Sequence, residues 1–279
     1  MADDRKNVKI HLVTNEKIAE TSSKGNQEKW LDNGKWYKLD QFGYEALSET
    51  LVSLMLEKSN VEEIGFKFVR YDMERMNVHG RERTGCVSDN FLKEGQSVVT
   101  LAHLFGKHLG YRLSEKLMRL KSDKQRIVYI AEETAKLTGL ERFPEYLTML
   151  FEIDSLFLND DRHLNNIAVL ERDGVYDYCP VFDNGAALLS NVQISRMDIE
   201  PKALITELQA RPFNTTFTRQ MNTARRLYGE QFQMPELAQA EIRIALEPLL
   251  EYYAVRDRDI IADRVITCIL TRQKILRKN

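Results

Sequence analysis

Residues 157–185 read FLNDDRHLNNIAVLERDGVYDYCPVFDNG. Two β-like runs, residues 166–170 and 175–181, flank Glu171-Arg172-Asp173-Gly174, and Asp-Gly is a strong hairpin-turn signal. Asp161 and Asn166 stand at the start of this hairpin and Asp183-Asn184-Gly185 at its end, so folding it brings them together. Phosphoryl transfer from a nucleotide needs a carboxylate to accept the attacking hydroxyl's proton and a few oxygen ligands for magnesium. Asp161, Asn166 and Asp183 supply both. Asp, Asn and Gly also serve as ordinary turn punctuation, and either motif alone would be read that way. The pair, joined by a hairpin and preceded by the most apolar helix pattern in the chain, points to a site, because polar groups beside an apolar core need a reason.

DDRHLNNIAV (residues 160–169) resembles the catalytic loop D-R-H-x-x-N shared by HipA-like bacterial kinases and lipid kinases. CPVFDNGAALL (residues 179–189) is similar to the metal-binding segment of the CtkA-like branch of that family. The D-x4-N spacing also matches ordinary protein kinases, but Asp183-Asn184-Gly185 replaces their D-F-G. Without that Phe, activation switching by its packing does not carry over.

The chain has 279 residues, with 40 Lys and Arg against 42 Asp and Glu. That length suits one large domain or two lobes. A net charge of −2 gives no reason to expect nucleic-acid binding. Cys86, Cys179 and Cys268 are odd in number and far apart, which suggests neither a disulfide framework nor a zinc knuckle and fits a reducing cytoplasm. The N-terminus has no signal-peptide core, and no window approaches 18 apolar residues, so membrane insertion is not expected.

Residues 8–13 read as a first strand. The polar stretch 20–29 follows; by itself it is an ordinary loop. In Lys29-Trp-Leu-Asp-Asn-Gly-Lys-Trp-Tyr-Lys38, the Asn33-Gly34 centre predicts a two-residue hairpin turn. The register then pairs Asp32 with Lys35, Leu31 with Trp36, Trp30 with Tyr37 and Lys29 with Lys38. Lys29 and Lys38 lie on the Leu31/Trp36 face. Two opposed lysines repel unless they splay into solvent or hold an anion such as a nucleotide phosphate. On that reading, removing either lysine leaves the unliganded protein no less stable. Ser22-x-x-Gly25-x-Gln27-x-Lys29 resembles the phosphate-binding loop of HipA-like kinases, and Tyr37-Lys38-Leu39 their ATP-lysine strand. The resemblance thus implies that Ser22, Gly25, Gln27, Lys29 and Lys38 bind ATP and that Ser22 is a site of autophosphorylation.

Residues 44–58 have helical spacing, with Glu45 and Glu49 on a neighbouring face. Either carboxylate alone reads as exposed. By its distance to the next strand, Glu49 resembles the kinase glutamate that pairs with the ATP lysine. Further strands are expected at 64–72 and 84–88 with a polar loop at 74–83 between them, and residues 89–92 read as the connector between lobes. From residue 98 the pattern is helical, at 98–109, 111–120, 124–137 and 144–158. The last is apolar nearly all round and therefore buried. Residues 112–126 form a basic cluster, and such clusters are usually solvated helix faces. Residues 188–198 lack clear periodicity and resemble an activation or substrate-binding segment. Helices at 203–210, 217–227, 235–253 and 260–277 complete the chain.

The expected fold class is α+β, a two-lobed protein-kinase-like fold with a small β-rich N-lobe at residues 1–91 and a mostly helical C-lobe at 92–279. The expected activity is transfer of the γ-phosphoryl of ATP, with Mg2+, to a protein serine or threonine. Asp161 serves as base or orienting group, Asn166 and Asp183 as metal ligands, and His163 as a buttress of the loop. Lipid or small-molecule phosphorylation is the alternative enzyme reading, and a catalytically silent nucleotide-binding module the non-enzymatic one. The resemblance implies a bacterial cytoplasmic setting, with a protein substrate and an antitoxin or regulator partner, or else a translocated effector.

Overall fold

The computed structural model describes residues 10–13 and 27–278. A five-stranded sheet combines β1 (Ile10–Val13), β2 (Lys29–Asp32), β3 (Lys35–Leu39), β4 (Asp72–Val78) and β5 (Arg81–Asp89) in the spatial order β1-β4-β5-β3-β2. β1 runs parallel to β4, and the other neighbours are antiparallel. A second, antiparallel sheet joins β6 (Ser97–Thr100), β7 (Ala168–Arg172) and β8 (Val175–Tyr178). The helices are α1 (Glu45–Leu56), α2 (Leu101–Leu109), α3 (Leu113–Arg119), α4 (Asp123–Thr138), α5 (Phe143–Phe157), α6 (Pro201–Glu207), α7 (Phe217–Tyr228), α8 (Gln239–Leu250) and α9 (Val255–Lys278).

The β2–β3 hairpin has the register its sequence predicts, Lys29 opposite Lys38 and Asp32 opposite Lys35. Asn33 and Gly34 take φ of 48° and 76°, the left-handed pair that a type I′ turn requires. Period-two alternation sorts the side chains. Trp30 and Tyr37 stack at 5.6 Å on one face, in a small core with Leu39 and Met76. Lys29, Trp36 and Lys38 line a cavity on the other. β7 and β8 form the second expected hairpin, turning at Asp173-Gly174.

Three expectations are corrected. The stretch read as a polar loop at 74–83 forms most of the β4–β5 ladder. His79 and Gly80 supply its turn with φ of 53° and 74°, while Met73, Met76 and Val78 are buried between polar residues. Residues 64–71 make only an isolated bridge, Phe68 to Val181, ahead of β4. Residues 97–100, read as helix from 98, pair with β7 as a strand. α2 starts after them, and the Thr100 hydroxyl accepts the His103 N–H at 3.2 Å, a normal N-cap.

α1 is buried at every position except Leu54. It packs between the five-stranded sheet and α8, which is why both of its carboxylates are interior. α5 is buried from Tyr146 to Phe157, as its all-round apolarity predicts. It ends at Leu158, whose φ of 58° turns the chain sharply into residues 159–167.

Candidate active site

The loop after α5 and the segment after β8 are tied together by one buried arginine. Arg162 is fully buried and forms a fork to Asp154 on α5, with Nε to Oδ2 at 3.0 Å and Nη2 to Oδ1 at 3.0 Å. Its other donors reach the carbonyls of Phe182 at 2.6 Å and Asn166 at 3.3 Å, and the Asn184 side-chain oxygen at 2.8 Å. Asn159 adds a bond to the Asp183 carbonyl at 3.1 Å. Six acceptors on three segments are thereby satisfied, which fixes the segments relative to one another. The sequence reading passed over Asp154, Asn159 and Arg162. A carboxylate inside an otherwise apolar helix was the available signal, since a buried charge needs a partner.

Within the loop, Asn166 donates its side-chain amide to the Asp161 carbonyl at 3.0 Å, and the Asn166 N–H bonds to the His163 carbonyl at 2.8 Å. The Asn165 N–H donates to His163 Nδ1 at 3.2 Å. That bond makes Nδ1 the acceptor and leaves the proton on Nε2, which lies 3.8 Å from Asp161 Oδ2. Burial raises the Asp161 carboxyl above an ordinary aspartate, with the His163 ring opposing and Asp183 adding to the rise. Burial and the neighbouring Asp161 push Asp160 up to about 6.

On the opposite wall, Lys38 Nζ lies 2.5 Å from Glu49 Oε1 and 2.8 Å from Asp183 Oδ1. Glu49 Oε2 accepts the Asn184 N–H at 2.8 Å. Glu49 is thus the helix carboxylate that pairs with Lys38, as the resemblance implied, and with Asp183 it supplies the anion beside Lys38, which corrects the expectation that removing Lys38 leaves the unliganded protein no less stable. Burial works against the Lys38 charge, but Asp183 and Glu49 reverse the effect and keep it protonated. Burial also opposes the Asp183 charge, yet Lys38 and then Lys29 outweigh it, holding the carboxyl well below the usual range. Among the described residues no such clamp holds Lys29, and burial lowers its pKa. Glu45 is buried too, contrary to the exposed reading, and accepts the N–H groups of Phe42 at 2.7 Å and Gly43 at 3.1 Å.

These residues converge on one cavity of about 1020 Å³, whose walls include Gln27, Lys29, Lys38, Asp161, His163, Asn166 and Asp183. Glu49 stands behind Lys38, and Ser22 and Gly25 lie outside the described residues. None of the basic residues at 112–126 lines the cavity. Residues 188–196 are held by Arg264 of α9, itself buried, through the carbonyls of Leu189, Ser195 and Arg196. Among the described residues, no three His, Cys, Asp or Glu side chains are gathered to hold a metal. Magnesium needs only one or two protein oxygens when substrate phosphates complete its shell. The strongly ionised Asp183 and the Asn166 side-chain oxygen suit that role.

No protein-family model matches the chain, and no curated protein matches it. The fold is similar to the crystal structure of a Helicobacter pylori proinflammatory kinase, CtkA, with a TM-score of 0.60 and 14% identity over 92% of each chain. HipA from a Shewanella oneidensis MR-1 complex with HipB and operator DNA matches at a TM-score of 0.40 and 13% identity, over 92% of this chain and 67% of that one. The likeness to CtkA shows the fold, a two-lobed α+β architecture of the kinase kind. No helix among the described residues is long and apolar enough to cross a membrane.

Proposed function

We propose that this chain is a kinase that moves the γ-phosphoryl group of ATP to a serine or threonine of a protein, with residues 1–91 and 92–279 as its two lobes. The observation that carries this reading is the clamp of Lys38 between Glu49 and Asp183, facing Asp161 and Asn166 across one cavity. Bound Mg2+ and ATP supply the transferable group and part of the charge compensation.

The remaining work falls to the chain's own residues. Lys38 and Lys29 offset phosphate charge in a partly dry cleft, where such interactions are strengthened. Asn166 and Asp183 would hold the metal. Asp161 orients the acceptor hydroxyl and takes its proton, and its raised pKa improves it as a base. His163 steadies Asp161 from Nε2.

Gln27 and Lys29 line the cavity. We assign residues 22–29 as the phosphate-binding loop and Ser22 as an autophosphorylation site. A phosphoserine there adds about 1.5 to 2 negative charges where ATP must bind, and so switches the enzyme off. The setting is a bacterial cytoplasm, with an antitoxin-like or other regulator protein as a further partner. Incubation of the whole protein with radiolabelled ATP, followed by phosphopeptide mass spectrometry, tests the reading. Label on serine or threonine, including Ser22, is expected; ATP binding with no transfer would favour a silent nucleotide-binding module.

A further inference from the structure

The cavity extends past Asp161 to a wall formed by residues 189–195 and 208–214. Its cations are unevenly placed. Among the described residues that line it, Arg211 is the only Lys or Arg besides Lys29 and Lys38, and those two serve the end built on β2 and β3. Asp160 and Asp161 lie at the same end as Arg211, close enough for its charge to lower both carboxyls.

The turn that presents Arg211 is held rigidly. The Ala210 N–H bonds to the Thr215 carbonyl at 2.7 Å, and the Asn214 N–H to the Ala210 carbonyl at 3.0 Å. Gln220 of α7 donates to the Ala210 carbonyl at 2.7 Å. Phe213 is buried edge-on against Phe151 of α5 at 5.9 Å. Arg211 itself is exposed, and its guanidinium has neither a hydrogen bond nor an ion pair among the described residues. An uncommitted fork of five donors on an anchored turn, inside a cleft, is suited to recognising a carboxylate bidentately. An acidic ligand would otherwise be repelled by Asp160 and Asp161, so the cation at this end decides which sign of charge is admitted.

We propose that Arg211 sets acceptor specificity by pairing with an Asp or Glu side chain of an extended polypeptide segment that carries the phosphorylated hydroxyl. This rests on the kinase reading of the site and deepens it by naming the substrate class.

Two peptides of equal length with one central serine, one flanked by Glu and Asp and the other by Lys and Arg, are the probes. Wild type, Arg211→Lys and Arg211→Glu are compared for kcat and KM, with nucleotide affinity measured separately. Wild type favours the acidic peptide by about tenfold or more in kcat/KM, mostly through KM. Arg211→Glu removes or inverts the preference, Arg211→Lys keeps part of it, and nucleotide affinity is unchanged in both. Equal loss on both peptides in Arg211→Glu, or a preference that survives it, overturns the proposal. So does phosphorylation of the protein by itself with neither peptide accepted. If wild type transfers phosphate to nothing at all, the kinase reading falls and takes this inference with it.

Discussion

Glu49 bonds the backbone N–H of Asn184 at 2.8 Å with one carboxylate oxygen and holds Lys38 at 2.5 Å with the other. A single side chain on α1 thus fixes both the lysine and the segment that carries Asp183. Asn184 is fixed from its other side by Arg162 at 2.8 Å. Where a D-F-G segment has an aromatic ring free to repack, this chain has a polar side chain committed to a buried arginine. Ser48 reinforces the contact, its hydroxyl lying 2.9 and 3.0 Å from the Asn184 and Ala187 carbonyls.

Lys38 and Lys29 should separate in stability. Lys38→Met leaves Glu49 and Asp183 facing each other in a buried site with no cation between them. That should cost about 3 kcal/mol or more, as breaking a buried pair does. Lys29→Ala removes an amine that no clamp holds among the described residues and should change stability by about 0.5 kcal/mol or less. Both should weaken ATP binding. Urea denaturation of the unliganded proteins, paired with nucleotide titration, checks this.

Arg162→Met should destabilise by about 3–5 kcal/mol, because the buried Asp154 loses its cationic partner. The double variant Arg162→Met/Asp154→Leu should recover much of that loss, since both charges are gone. It should remain inactive, because the carbonyls of Asn166 and Phe182 still lack their donor and the loop loses its position. Thermal melts and transfer rates on the three proteins test whether Arg162 serves stability alone.

The two glycines near this contact should respond oppositely. A Cβ at Gly43 would lie 2.0 Å from the Ser190 carbonyl oxygen and 2.9 Å from Val192. Backbone meets backbone there, so Gly43→Ala must separate the start of α1 from residues 190–192, and it should lower both melting temperature and turnover. At Gly185, the glycine of the motif, a Cβ would meet nothing closer than 3.5 Å. Gly185→Ala should therefore be well tolerated, a result that melting curves and initial rates would reveal.

Transfer should fail on the acid side at a pH above that of an ordinary aspartate. Asp161 must be ionised to accept the proton, and its pKa is raised first by burial and then by Asp183. Activity is thus present above the raised pKa and lost as pH falls through it. His163 opposes the rise, so His163→Gln should push the acid limb to higher pH. A limb that moves lower in His163→Gln would mean that another group titrates.

Much of this arrangement was legible in the chain. Asn33-Gly34 and Asp173-Gly174 fixed two hairpins because only a few residues accept two successive left-handed positions. What escaped notice lacked such a local mark. The second half of β5 is expected from the sequence at 84–88, whereas β4 and its turn were obscured because Met73, Met76 and Val78 stand among Glu74, Arg75 and Asn77 and His79-Gly80 is an unremarkable turn. β6 was absorbed into α2 because a strand of four residues carries little period of its own. The Arg162–Asp154 fork joins a helix to the loop just beyond its end at a spacing of no periodic pattern, and the hold of Arg264 on residues 189–196 depends on contacts distant in sequence, where spacing is silent. From the sequence, Asp161, His163, Asn166 and Asp183 are the expected catalytic residues and Ser22, Gly25, Gln27, Lys29, Lys38 and Glu49 the expected nucleotide contacts; the structure adds the buried Arg162, which ties the loop of Asn166 to the segment of Asp183.

The central claim is that Asp161 acts on the acceptor and Asp183 on the metal-bound nucleotide. Calorimetric titration of Asp161→Asn and Asp183→Asn with ATP, with and without magnesium, tests it most directly, alongside the transfer assay. Both variants should fold and lose transfer by orders of magnitude. Asp161→Asn should bind ATP nearly normally, and Asp183→Asn should lose the magnesium-dependent part of its affinity. Normal magnesium-dependent binding in Asp183→Asn together with loss in Asp161→Asn would contradict the assignment.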